Sequence, residues 1–294
     1  MTPDRSDVCK ICQCPTEVVG IRKGKYIRND FELHRCRTCR FAFITNPYQK
    51  LEDLYGSDYY AGKGADPLVD YEFELRYPNI TIRQYEWRGI SRVVLDCMPV
   101  DESTRWLDFG CGTGGMVRYC RDQLKCQAFG YDAGDVHGHL RDLGENLLTD
   151  RDLERYKGTF DVITAIEVLE HVLDPVSDLL LIRSLLKPGG LFFCTTGNAQ
   201  PFAEKILDWA YLIPEIHISL FEPISLDAAL RKAAFRPEFA GFRPGFEDII
   251  RFKILKNLHI RRTGWWERML PWGVLTRIVD RIYKVTAHPR GWAV

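Results

Sequence analysis

Between residues 105 and 195 the chain alternates short apolar runs with longer stretches of helical periodicity. "RWLDFG" reads as a first strand, and "MVRYCRDQL", beyond a glycine turn, as a helix. "QAFGYD" is a second strand. "FDVITAIE" is a later buried strand, followed by a helix from about Pro175 to Leu186, a "KPGG" turn and a further strand, "LFFCTTG". Between Asp132 and Phe160 the periodicity fades, and a third strand falls only loosely near "NLLT". Strands alternating with helices predict a parallel sheet with crossover helices.

The flanks follow other rhythms. In "ITIRQYEWRGISRVVLDCM" the residues Ile82, Tyr85, Ile90, Val93, Val94 and Cys97 keep roughly helical spacing. Residues 5–45 are short and strand-like, and the chain turns helical again from about Gly245. The reading divides into residues 1–45, a Tyr-rich connector and helix over 46–99, an α/β domain over 100–244, and a helical extension over 245–294.

The chain has 294 residues, 46% hydrophobic and 27% charged, with a formal net charge of zero. No global field therefore drives it onto nucleic acid. The start, "MTPDRSDVCK", holds no apolar signal core, and no run of eighteen apolar residues predicts a membrane-spanning helix. A cytoplasmic setting is the expectation, with the ten cysteines as thiols or metal ligands. The neutral average hides a basic end: from Arg251 onward ten Lys or Arg face only Glu267 and Asp280, among four of the seven tryptophans. That tail fits packing on the core or a homodimer contact, with an amphipathic face toward anionic membrane over 250–290 as the alternative.

Cys9-x-x-Cys12 and Cys36-x-x-Cys39 are two pairs with 23 residues between them. Each turn offers two corners of a tetrahedron, so the expectation is a structural zinc site in an N-terminal ribbon. Four sulfurs leave no position open for water. Cys14 is a spare thiol near Cys12. The remaining cysteines show no metal spacing and read as core residues.

"LDFGCGTGG", Leu107–Gly115, carries four glycines in six positions behind an apolar strand. As Gly110-x-Gly112-x-x-Gly115 it fits a nicotinamide dinucleotide turn, and as Asp108-x-Gly110-x-Gly112-x-Gly114 a different nucleotide cofactor. Asp132, closing the second strand 22 residues after Gly110, suits an adenosine ribose in either case. "FDVITAIEVLEHVLDP" and "LLKPGGLFFCTTGN" decide between them. With "LDFGCGTGG" they closely resemble the class I S-adenosylmethionine-dependent methyltransferases, over about residues 100–240. The resemblance implies a Rossmann-like sheet, S-adenosylmethionine at Asp108, Gly110, Gly112 and Gly114, its ribose at Asp132, and Glu167 and Val168 under the reacting region. "GENLLTDRDLERYKG", where relatives contact adenine, follows no clear pattern, with Asp150 and Leu153 as candidates.

"CRTCRFAFITNP" and "LYGSDYY" extend the likeness to zinc-containing sugar C-methyltransferases and related small-molecule enzymes, with Arg40 where a glycine is usual. In that branch a Glu-His pair works near the substrate. In "IPEIHISLFEPISL" His217, Ser219 and Phe221 match the frame, while Ile216 stands for the Glu, Leu220 for a Tyr, and Glu215 is displaced by one. The resemblance makes His217 the candidate base, with His171 of "EVLEHV" as the alternative or as a structural histidine. Tyr59 and Tyr60 are candidates to cover the pocket. The expected acceptor is a small molecule, sugar or glycan methylated on oxygen or carbon. An RNA base methyltransferase expects a strongly basic ribbon, yet residues 1–60 hold ten Lys or Arg against eight acids. A non-catalytic scaffold on the same fold is the reading from another class.

Overall fold

The computed structural model describes residues 8–50, 54, 71–133, 141–239 and 243–283; Tyr59 and Tyr60 lie outside them. Among the described residues the strands form two sheets. The first is antiparallel and starts with β1 (Thr16–Lys23), β2 (Asp30–Cys36) and β3 (Ala42–Ile44). The second is parallel, built from β4 (Arg105–Phe109), β5 (Gln127–Tyr131), β6 (Leu147–Leu148), β7 (Phe160–Ile166) and β8 (Leu186–Thr195) in the order β6-β5-β4-β7-β8. The chain winds outward in both directions from β4 and β7, so a crevice opens beyond their carboxyl ends.

Side chains alternate across this sheet, as successive strand residues must. Trp106 and Val162 face one layer; Leu107 and Ile163 face the other. The first layer holds α1 (Tyr71–Arg76), α2 (Arg83–Cys97) and α3 (Gly115–Tyr119). The second holds α4 (Pro175–Leu185) and α5 (Pro223–Lys232). Asp174 starts α4 by accepting the amides of Val176 and Ser177, with Pro175 in the first turn, where no amide partner is needed.

Two helices follow, α6 (Phe246–Asn257) and α7 (Trp272–Tyr283). Helix α6, which the sequence reading places in the extension, covers the first face of the sheet beside α2 through Phe246, Ile249 and Ile250. The two helices cross where Gly89 lacks a side chain: a Cβ there would meet Gly245 O and Ile249 Cγ1 at 2.7 Å. Arg88 fastens the crossing by donating two hydrogen bonds to Asp248, at 2.9 and 2.6 Å.

The antiparallel sheet is closed by β9 (Ser219–Leu220), which comes from beyond the parallel sheet in sequence. Ala42 pairs with Leu220 and Phe43 with Ser219, and Ile44 N–H donates to Ile218 O at 2.9 Å. The cysteine-bearing hairpin thus shares both a sheet and a core with the α/β domain. No helix among the described residues is long and apolar enough to cross a membrane.

Two local expectations come out differently. "KPGG" lies within β8 as an irregularity, where pairing jumps from Phe160–Leu186 to Val162–Leu191 and Gly189 takes a φ of 78°. The helix expected over 116–124 is α-helical only to Tyr119, and Cys120–Leu124 form a π-helical turn.

Trp87 packs against Gly115, where an added Cβ would stand 2.3 Å from its ring. Gly115→Ala is expected to lower unfolding free energy by about 1–3 kcal/mol, through forced displacement of that ring. Urea denaturation reads the effect, and a shift inside about 0.5 kcal/mol would show that the ring yields without cost.

Candidate functional site

The loop after β4 enters the crevice with Gly110, Gly112 and Gly114 at φ values of 78°, 51° and 73°. These lie in the left-handed region, which glycine enters without strain. Gly110 also has no room for a side chain, since a Cβ would stand 2.4 Å from Val168 Cγ2. Gly112 differs: among the described residues the nearest atom to its Cβ position is Tyr71 Cε1 at 3.9 Å. Its N–H donates to Asp132 Oδ2 at 2.8 Å, which places that carboxylate beside the loop at the end of β5. A glycine cradle with a carboxylate on the neighbouring strand fits an adenosyl cofactor's ribose and backbone-bound end.

Asp108 lies beneath the loop at the end of β4, buried, and accepts a hydrogen bond from Thr164 Oγ1 at 2.8 Å. Burial pushes its pKa up to about 7; the Thr164 bond works against the shift and the Asp132 charge adds to it. Thr164 in turn accepts from Trp106 Nε1 at 3.1 Å, which fixes the hydroxyl.

Across the crevice, β7 ends on Glu167 at a φ of 55°. A non-glycine residue there costs about 1–2 kcal/mol, offset in part by Glu167 N–H bonding to Thr195 O (3.0 Å) and Thr195 Oγ1 (3.2 Å). The turn aims the Glu167 side chain at α6, where Lys253 Nζ lies 3.0 Å from Oε1. Burial opposes the Glu167 charge, but Lys253 and Lys256 outweigh it and hold the pKa at about 2. Glu170, one turn on, is driven the other way. Burial first and the Glu167 charge second raise it to about 8. The Tyr211 hydroxyl stands between the two, 3.1 Å from Glu167 Oε2 and hydrogen-bonded to Glu170 Oε1. One phenolic proton serves one carboxylate at a time, and a protonated Glu170 supplies the other. Neighbouring acids of opposite charge state follow.

Two histidines complete the cluster. His171 Nδ1 is 2.9 Å from Ile216 O, and His217 Nδ1 is hydrogen-bonded to Tyr211 O. A carbonyl oxygen can only accept, so both Nδ1 atoms carry a proton, and in the neutral ring the lone pair is on Nε2. The rings meet edge to face with centroids 5.0 Å apart, and Tyr211 stacks on His217 at 4.2 Å. Donor atoms of Glu170, His171 and His217 all lie within 4.8 Å of one another. Such a set can take up a proton or accept a divalent cation, and carbonyl-anchored imidazoles suit both.

The four cysteines of the two pairs also converge. Cys9 Sγ lies 3.5 Å from Cys39 Sγ, Cys12 Sγ lies 3.4 Å from Cys36 Sγ, and all four sulfurs fall within 4.8 Å of one another. Four sulfurs about 2.3 Å from a zinc ion would stand about 3.8 Å apart. Ile11 N–H points to Cys9 Sγ and Cys39 N–H to Cys36 Sγ, at 3.4 and 3.5 Å, and amide donors of this kind favour thiolates. The donor set fits a tetrahedral ion.

The structure therefore brings Asp108, Gly110, Gly112, Gly114, Asp132, Glu167, Val168, His171 and His217 to the carboxyl ends of β4, β5 and β7, and sets the cysteines apart on the α4–α5 face. Glu215 turns away from this crevice and accepts from Tyr26 N–H (2.7 Å) and Ile27 N–H (3.0 Å), closing the β1–β2 turn. Sequence reasoning missed Glu170, Tyr211 and Lys253 as site residues. Glu170 is visible in "EVLEH" as the one acid a helical turn from Glu167. Tyr211 and Lys253 carry no such local signal.

A family profile described as a methyltransferase domain matches residues 81–238. Ubiquinone biosynthesis O-methyltransferase of Cereibacter sphaeroides is 32% identical over 163 residues, 46% of this chain and 66% of that protein. The protein of the same name from Pseudomonas aeruginosa is 36% identical over 107 residues, 33% of this chain and 46% of its own. The chain thus spans less than two thirds of the length of these relatives. An S-adenosylmethionine dependent methyltransferase from Mesorhizobium loti superposes with a TM-score of 0.41 at 18% identity, over 52% of this chain and 82% of that one.

The raised pKa of Asp108 has a definite sign. Stability conferred by its protonated form is complete below the unfolded value near 3.8 and is lost as pH rises through about 7. Asp108→Asn keeps a neutral group. Its stability relative to the parent chain is expected to rise between about pH 4 and 7, by on the order of a few kcal/mol. Urea midpoints across that range read it, and a difference that does not change with pH would contradict the buried acid.

Proposed function

We propose, from the premise that the chain belongs to the class I S-adenosylmethionine-dependent methyltransferases, that it methylates an oxygen or carbon of a small-molecule acceptor, with His217 as the base. The observation that carries this reading is the anchoring of His171 and His217 by Nδ1–H to Ile216 O and Tyr211 O. One donor atom from each ring and one carboxylate oxygen of Glu170 lie within 4.8 Å of one another. The names of the two relatives favour oxygen as the acceptor atom. A sugar, a glycan unit or a secondary metabolite with a hydroxyl or acidic carbon meets the same requirement.

When bound, S-adenosylmethionine supplies a methyl group already electrophilic on its sulfonium. What remains for the chain is to hold the acceptor in line and remove one proton. Asp132 and the glycine-lined turn from Gly110 to Gly114, whose backbone admits close approach, would hold the cofactor. His217 Nε2 accepts the acceptor's proton, and Tyr211 stacked on its ring keeps the imidazole from rotating. His171 stands at its edge. Glu167, kept ionised by Lys253, anchors the Tyr211 hydroxyl whose ring stacks on His217. Glu170, neutral near pH 7, adds no negative charge.

Zinc is the reading for Cys9, Cys12, Cys36 and Cys39, in a structural role. The hairpin that carries them is short and rests on α4 and α5. Lys232 Nζ donates to Ile11 O at 2.6 Å and Lys10 Nζ to Leu173 O at 2.8 Å. The balanced charge of residues 1–60 argues against RNA as the partner of this hairpin.

His217→Ala is expected to lower kcat by roughly 10²- to 10⁴-fold. The Kd for S-adenosylmethionine, measured by calorimetry, should move less than about threefold, well under 1 kcal/mol. A panel of hydroxylated acceptors with a labelled methyl donor reads turnover, and unchanged kcat would remove His217 as the base. For the cysteines, Cys36→Ser should abolish stoichiometric zinc by atomic absorption and lower the Tm by several degrees, about the effect of 1–2 kcal/mol. Protein purified without zinc at undiminished Tm would refute a structural ion.

A further inference from the structure

We propose that the outer face of residues 265–278 docks on an anionic lipid bilayer. The segment is anchored to the domain from its inner side. Glu267, fully buried, accepts hydrogen bonds from Tyr85 Oη (2.7 Å) and Gly264 N–H (2.9 Å). Trp272 is buried, and its Nε1 donates to Glu267 O at 2.7 Å. Arg251 stacks on both Tyr85 and Trp272, 3.9 and 4.6 Å from the ring centroids. The inner face is thus already closed by its own polar and aromatic partners.

The outer face is apolar and ordered. Trp265 is 79% exposed, Met269 78%, Val274 55% and Ile278 49%. Val274 and Ile278 stand one turn apart on α7, opposite the buried Trp272 and Thr276. Large side chains of this kind cost free energy in water, and a soluble surface seldom gathers them within fourteen residues. Positive charge prevails around them. Arg261, Arg262 and Arg277 are exposed, Glu247 is the exposed acid beside Gly273, and Glu267, the acid nearest Trp265 in sequence, is turned inside. Tryptophan and aliphatic side chains bordered by arginine match the boundary between acyl chains and anionic headgroups. Nucleic acid would use the arginines and gain nothing from Met269, Val274 and Ile278.

This inference does not depend on the identity of the methyl acceptor. The test is sedimentation of the full chain with vesicles of phosphatidylcholine containing about one third phosphatidylglycerol, against pure phosphatidylcholine, at low and high salt. Binding is expected only with the anionic vesicles and should weaken with salt. Trp265→Ala with Met269→Ala should reduce it by roughly tenfold. Arg261→Glu with Arg262→Glu should reduce it at least as much. Circular dichroism and S-adenosylmethionine affinity confirm that both variants fold. Three results would overturn the proposal: no sedimentation at low salt, equal binding to both vesicle types, or binding that neither pair of substitutions changes. A dimer that Trp265→Ala with Met269→Ala dissociates, without vesicle binding, would assign the face to a second copy instead.

Discussion

A carboxylate that must stay charged inside the protein is the constraint on which the site depends. Glu167 leaves β7 with a left-handed backbone, and its side chain is held near a pKa of 2. A buried charge persists only when paired and hydrogen-bonded. Lys253 meets that need from α6, Tyr211 from the segment before β9, and Thr195 from β8 through the backbone amide. Distant parts of the chain are thereby drawn to one point beside the glycine loop. Glu170 shows the converse, since a second charge beside the first would be repelled, and burial keeps it neutral.

The antiparallel sheet serves the same point from the other side. Strand β9 begins two residues after His217, and Ile218 is gripped at both backbone groups. Its N–H donates to Glu170 O at 2.8 Å and its C=O accepts from Ile44 N–H at 2.9 Å. The position of the His217 backbone is thus set jointly by the turn after β7 and by β3. The cysteine hairpin, which looks from sequence like a detachable ribbon, is a structural neighbour of the histidine. Metal at the cysteines would stiffen β2 and β3, and with them the strand that follows His217.

Much of this was legible in the residues. Strands β4, β5 and β7 announce themselves because a strand buried on both faces is a continuous apolar run, and here each is closed by glycine or an acid. The convergence of Asp108, Asp132, Glu167 and His171 follows from that order, since parallel strands bring their carboxyl ends to one edge, whereas His217 arrives through the antiparallel sheet. What stayed hidden has physical reasons. Strand β9 is two residues long, too short to show a period, and the equally short β6 shows only loosely, at "NLLT". "KPGG" has turn chemistry, but pairing with β7 resumes after it, so the turn becomes a bulge. Lys253 reads as one of many basic residues on a helix until α6 is laid on the sheet. Tyr211 reads as a core aromatic until its hydroxyl is found between two acids.

His171 and His217 both spend an Nδ1–H group on a carbonyl oxygen, which fixes the tautomer of each neutral ring. Long-range proton–nitrogen correlation spectra of the imidazole side chains near neutral pH observe this directly. His171 and His217 are both expected in the Nδ1–H form, with a pyridine-type nitrogen signal at Nε2. In His217, an Nε2–H tautomer would contradict this, because that nitrogen could then no longer accept a proton from an acceptor.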